Sequence, residues 1–119
     1  MKENIIKMKT FDFALSIIGL YKQMQEKKEF VISKQLLRSS TSIGANVEEA
    51  DAGQTKKDFI AKMSIAAKEA RETHYWLSLL QRSQLILLDY SQYIVAIEEI
   101  IRIITSIIKT AQQNINENR

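Results

Sequence analysis

A chain of 119 residues fits a single domain, 1–119, and is long enough to bury a hydrophobic core. Zero cysteines exclude disulfides, thiolate metal sites and a catalytic thiol, while zero prolines and only three glycines argue against hairpin-rich or loop-rich folds. The net charge of +3 permits a polyanionic partner without demanding one.

The charge is unevenly spread. Residues 1–38 hold eight basic and four acidic side chains and residues 56–82 six and three, whereas residues 39–55 hold three acidic and no basic ones. The longest stretch free of charged residues is nine, for example Phe13 to Tyr21. A membrane-spanning helix needs about 20 predominantly apolar residues, so no membrane partner is expected. Met1 to Thr10 carries three lysines and one glutamate with no long apolar run behind them, which does not read as a signal peptide. The expectation is a cytoplasmic protein.

Four helices read along the chain. The first is predicted over 10–26, capped by the Thr10 hydroxyl, with Phe13, Ile17, Leu20 and Met24 at alternating spacings of four and three. The run Glu26-Lys27-Lys28-Glu29 breaks that pattern and reads as a turn. The second helix is predicted over 33–52, with Leu36, Ser40, Ile43, Val47 and Ala50 inward. Ser39, Ser42, Gly44 and Ala45 are small enough to let a neighbouring backbone approach closely, and Gly53 reads as the left-handed residue that ends the helix. The third helix is predicted over 55–82, with Thr55 as cap and Asp58 in the first turn. Its inner line is Phe59, Met63, Ala66, Ala70, Thr73, Leu77 and Leu80. The apolar link Ser83 to Leu88 is expected to tuck against the end of the bundle.

The fourth helix is predicted over 89–116, with Asp89 and Gln92 resembling a capping box. Ile94, Ile97, Ile101, Ile104, Ile108, Ala111 and Ile115 make one apolar line, and Tyr93, Ala96, Ile100, Ile103 and Ile107 a second. A monomeric bundle helix needs roughly three apolar positions in seven. The excess predicts contact with another copy of the chain, with Ile100, Ile103, Ile107 and Trp76 as candidate interface residues. Helices of this length with short turns predict an all-α, antiparallel, up-down-up-down four-helix bundle. The other architecture compatible with the pattern is an open array of helical hairpins that completes its core on oligomerising.

Two segments carry a family resemblance. Gln35-Leu36-Leu37-Arg38-Ser39-Ser40-Thr41-Ser42-Ile43-Gly44-Ala45-Asn46-Val47-Glu48-Glu49 resembles the Q-L-x-R-S-x-x-S-I-x-x-N-I-x-E signature of the bacterial 23S rRNA-intervening-sequence proteins. Lys68-Glu69-Ala70-Arg71-Glu72-Thr73-His74-Tyr75-Trp76-Leu77 is similar to the K-E-A-R-E-T-x-Y-W-L stretch of one branch of that family. One departure is Ala50, where the family often has glycine. The resemblance implies a ring-like homopentamer of four-helix bundles. It also implies kinship with the accessory proteins of diversity-generating retroelements, which work with nucleic acid and a reverse transcriptase. The family name records where some members are encoded and not an activity, and fold alone does not fix function.

Two constellations remain. Arg38, Ser39, Ser42, Asn46 and Glu49 on the second helix, with Glu69 and Glu72 on the third, could form an acid/base site or a structural polar layer in which Arg38 pairs with the glutamates. The structural reading is preferred, because no nucleophile, metal set or phosphate loop accompanies them. His74 is the sole histidine and reads as a packed or partly exposed residue, so no metal and no cofactor is expected. Opposite the core line of the third helix, Lys57, Ser64, Lys68, Arg71, Tyr75, Ser78 and Arg82 share one stripe. Of these, Lys57, Lys68, Arg71, Tyr75 and Arg82 are the candidate nucleic-acid-binding residues: the bases meet phosphates and the ring can stack on an unpaired base. An ordinary solvated face is the competing explanation. The sequence therefore reads as a non-enzymatic homo-oligomer that binds RNA, a ribonucleoprotein or a nucleic-acid-processing protein. The alternative is a protein–protein scaffold with no nucleic-acid ligand.

Overall fold

Ile6, Phe13, Ile17, Leu20 and Met24 are all buried, and a helix is the conformation that puts residues at those spacings on one line. In the computed structural model, which describes residues 2–117, this line belongs to helix α1, Lys2–Glu26. Helices α2 (Ile32–Asp51), α3 (Lys56–Ser83) and α4 (Ser91–Glu117) follow, and no strand occurs among the described residues. Each helix packs against the next and α4 returns to α1, giving a rod of 54 × 22 × 22 Å around one shared core.

The start of α1 corrects the sequence reading. Thr10 is not a cap: it lies inside the helix, buried, and its hydroxyl donates to the carbonyl of Ile6 at 2.8 Å. That bond back to the preceding turn lets a threonine sit mid-helix on an inward line. Ile6 is one further turn of the same apolar line, so α1 extends well upstream of residue 10.

The α1–α2 link is organised by Glu29. Its carboxylate accepts from the backbone amides of Val31, Ile32 and Ser33, which would otherwise be orphan donors at the start of α2. The Ser33 hydroxyl and the Gln25 amide both donate to the Glu29 carbonyl, and Gln25 also donates to Ser33. The charged run Glu26–Glu29 is thus more than a solvated turn.

Gly53 does not end α2 in a left-handed conformation; no glycine has positive φ, and the C-cap Ala52 has φ −88° and ψ 0°. Space explains the glycine instead. A Cβ on Gly53 would lie 3.1 Å from the Ala50 carbonyl oxygen and 3.3 Å from Asp58 Cβ, so a side chain would crowd the α2–α3 turn. Thr55 caps α3 by accepting from the Asp58 amide at 3.0 Å.

Gln84, left-handed at φ 48°, closes α3 and folds the α3–α4 link. Its side chain donates to the carbonyls of Gln81 and Leu88, while Gln81 accepts from the Tyr90 amide. Tyr90 is fully buried and its hydroxyl donates to the Ile86 carbonyl at 3.0 Å. The link tucks in at Ile86, Tyr90 and, in part, Leu88; Leu85 and Leu87 face solvent, the latter 80% exposed. Asp89 is not half of a capping box. Its carboxylate accepts from the amide and hydroxyl of Ser91, and the Tyr90 carbonyl takes the first helical amides of α4.

Much of the apolar excess of α4 is taken up within its own bundle, with Val95 left 64% exposed. Ile97, Ile100, Ile104 and Ile107 form the buried line, with Ile94, Ile101 and Ile108 half-buried on one flank and Tyr93, Ala96 and Ile103 on the other. At 3.6 residues per turn, the inward direction runs between the two heptad stripes instead of along one of them. Ile100 and Ile107 are 2% and 4% exposed, so neither is an interface residue, which corrects that assignment; Ile103 and Trp76 are half-buried and pack against the core.

Burial alone would raise the Glu29 carboxyl, but the three amides, Ser33 first, outweigh it and hold it below the ordinary carboxylate range. A lowered carboxyl contributes stability that is present above its unfolded pKa and lost as pH falls through the folded one. Glu29→Ala should therefore cost about 1 kcal/mol in urea melts near neutral pH. The gap from wild type should start to narrow as pH falls through the ordinary carboxylate value of about 4.3 and go on narrowing through the lower folded-state value. A gap independent of pH would show that Glu29 acts by packing and not by charge.

Candidate nucleic-acid interface

The outward direction of α3 is set by what its inner flank must satisfy. Glu69 is nearly buried, with 11% of its side chain exposed, and Arg38 of α2 donates to it at 3.2 Å. The same guanidinium reaches Glu72, which also accepts from the Trp76 indole at 3.0 Å. The indole hydrogen bond, against the opposing effect of burial and with help from Arg38 and Lys68, holds the Glu72 carboxyl below its usual range. Beneath them the Thr73 hydroxyl donates to Ser39 at 2.8 Å, both groups buried between α2 and α3.

The polar layer is smaller than the sequence suggests. Glu49 does not join Arg38; it is exposed and pairs with Lys62 at 3.5 Å. Ser42 and Asn46 serve α2 itself, the Asn46 amide donating to the Ser42 carbonyl and hydroxyl. Among the described residues, no group of three or more His, Asp or Glu side chains is placed to hold a metal ion.

With that flank fixed, Lys57, Lys68, Arg71, Tyr75 and Arg82 all face solvent on α3. Arg71, Tyr75 and Arg82 line one depression of about 330 Å³, together with His74, Ser78 and Leu79. Lys57 and Lys68 extend the exposed line toward the start of the helix. Tyr75 stands edge-on to Trp76, ring centres 5.2 Å apart at 71°. Residues from α4 complete the surface. Arg71 also lines a depression of about 400 Å³ with His74, Glu98, Ile101 and Arg102, and a third of about 250 Å³ with Ser64, Thr105, Lys109 and Gln112. The three share Arg71; two of them lie along the α3–α4 seam, and the one that holds Tyr75 and Arg82 is lined by α3 alone.

Arg102 and Lys109 are the basic groups that the sequence reading left out of the site. Their spacing is legible as the polar seam of α4, but only packing brings that seam beside the α3 stripe. Glu98 is the acid in the groove, and it lies 3.2 Å from His74 Nε2.

Removing Arg38 tests the polar layer. Arg38→Met should destabilise the fold by about 2 kcal/mol, because Glu69 is left nearly buried without its cation. Adding Glu69→Gln should restore part of that loss. Equal stabilities for the single and double variants would refute the pairing.

Comparison with known proteins follows the same outline. The family model of the 23S rRNA-intervening sequence proteins matches residues 2–106. A solved structure from Bacteroides thetaiotaomicron VPI-5482, described as a protein of unknown function from the S23 ribosomal protein family, superposes with a TM-score of 0.86 at 49% identity. The alignment covers 92% of this chain and 99% of that one. No curated protein matches the chain. With nearly its whole length matched, the chain belongs to the family of 23S rRNA-intervening sequence proteins.

Proposed function

We propose that the protein is a non-enzymatic, cytoplasmic homo-oligomer that binds RNA or a ribonucleoprotein along the α3–α4 groove. The observation that carries this reading is the convergence of Arg71 and Arg82 from α3 with Arg102 and Lys109 from α4 on adjoining depressions. Guanidinium and ammonium groups on one open groove suit a phosphate backbone, which supplies most of non-specific affinity. Exposed Tyr75 beside them offers a face for an unpaired base. The family name and the S23 ribosomal protein label of the Bacteroides structure agree with an RNA context. No helix among the described residues is long and apolar enough to cross a membrane.

Five copies in a ring is the assembly the resemblance implies, and repetition would turn one modest groove into an avid array. Within each copy we propose an antiparallel order. Lys7 at the start of α1 meets Asp51 at the end of α2, Arg38 meets Glu69 while Glu49 meets Lys62, and these registers support helices that alternate in direction.

The scaffold alternative also has an observation in its favour. The α1–α2 and α3–α4 links lie near one another, since the charge of Glu29 is felt at Tyr90. They expose Phe30, Val31, Leu85 and Leu87, a set of apolar side chains suited to a protein partner.

Binding of a structured RNA across a salt series separates the two. The RNA reading expects log affinity to fall linearly with log salt, and Lys68→Glu with Arg71→Glu to weaken binding at least about tenfold. Arg102→Glu alone should weaken it too, which an α3-only surface does not predict. No binding at low salt, or binding indifferent to these changes, leaves the scaffold.

A further inference from the structure

An arginine on a helical bundle can be spent on carboxylates of its own chain, as Arg38 is on Glu69 and Glu72. Arg71 of α3 and Arg102 of α4 are not. Among the described residues neither guanidinium forms a salt bridge or a hydrogen bond. The acids nearest them in sequence are engaged elsewhere: Glu69 and Glu72 with Arg38, Glu99 with Lys9 at 2.8 Å, and Glu98 with His74 at 3.2 Å. Arg102 adds only the weakest of the influences on Glu99.

Both open guanidiniums line one depression of about 400 Å³, with Ile101 and the His74–Glu98 pair. That volume falls within the roughly 300–1,000 Å³ that small-molecule sites occupy. His74 and Glu98 offset one another when the imidazole is protonated, which leaves the charge of the two guanidiniums; a neutral imidazole leaves one positive charge fewer. A phosphate monoester carries about −1.5 to −2 at pH 7 and three terminal oxygens, so it can meet two guanidinium forks at once. A carboxylate or a phosphodiester offers one charge and two free oxygens, which a single fork satisfies. Arg71 also borders the depression that holds Tyr75, whose exposed ring suits the base of a nucleotide.

We propose that this depression is a phosphate-monoester site, in which Arg71 and Arg102 grip the phosphoryl group and Tyr75 lies beside the base of a nucleotide. The inference rests on the groove of the RNA reading and sharpens its ligand from a phosphate backbone to a terminal phosphate. That chemistry has two sources, the 5′-phosphate end of an RNA strand and a free nucleoside monophosphate. Lys109 and Arg82 belong to the adjoining depressions and lie outside the grip. They meet the phosphates of a passing chain whether or not its end is phosphorylated.

The test compares a short oligoribonucleotide bearing a 5′-phosphate with its 5′-hydroxyl form by fluorescence anisotropy. AMP and adenosine are compared by the NMR signals of His74, the sole histidine. Wild type should bind the 5′-phosphate strand about tenfold more tightly than the 5′-hydroxyl strand. AMP, unlike adenosine, should shift the His74 signals. Arg71→Gln and Arg102→Gln, both at exposed positions, should each erase these preferences with helicity kept in circular dichroism. Arg82→Gln should weaken both strands alike and leave their ratio unchanged. A preference confined to the strands assigns the site to an RNA end, one confined to AMP assigns it to a free nucleotide, and either sustains the proposal. Equal binding of the two strands with no AMP effect overturns it and leaves the RNA reading standing. AMP binding without binding of either strand overturns the RNA reading and leaves the site. No binding of any probe overturns both, and preferences that survive both arginine changes overturn the site.

Discussion

A carboxylate placed on an inward flank of a helix must find a cation or the helix cannot turn that flank inward. Glu69 sets this requirement, and Arg38, one helix away, meets it. The pairing agrees with the rotation of α3 that its buried line sets, and the rest of the surface follows from that rotation. Lys68, Arg71, Tyr75 and Arg82 are outward because Ala66, Ala70, Thr73 and Leu77 are inward. The α4 seam of Arg102 and Lys109 then becomes the other wall of a groove, and not an isolated row of polar residues. A bridge of this kind adds little net stability compared with apolar packing, and its worth lies in register.

Much of the fold was legible in the sequence, because each helix carries a long apolar line and few residues interrupt it. The inner lines of α2 and α3 match the buried residues, with Phe59 half-buried at the start of α3. What was not legible depended on a choice between two lines on the same helix. α4 offers two heptad stripes, and the true inward line runs between them, so counting apolar positions overstated what was left for a partner. α1 is the reverse case. Its core line is plain in the sequence, yet the bundle leaves Met8, Phe11, Leu15 and Ile18 exposed on the opposite side. Thr10 and Gly53 misled for a related reason. Each is a residue type with a common local role, and each serves a different one here: Thr10 bonds back to the Ile6 carbonyl inside α1, and Gly53 fits the crowded α2–α3 turn.

The candidate groove was half legible for the same physical reason. A stripe of bases on one helix is visible in one dimension, whereas a groove needs the relative placement of two helices. Sequence periodicity says which residues share a face and is silent on which faces meet.

The order in which the helices touch has a bearing on how the chain reaches this structure. α1 packs on α2, α2 on α3 and α3 on α4, all neighbours in sequence, and the single long-range closure is α1 against α4, the sparsest of the four seams. Most of the loop-closure entropy is therefore met in small steps, the regime in which helical proteins fold in microseconds to milliseconds. With no proline in the chain, no slow prolyl isomerisation delays it. The one seam between helices distant in sequence is held by α1, the helix that also leaves an apolar face exposed, so the closing element of the bundle is the one with the most apolar surface outside it to lose if it detaches and reseats.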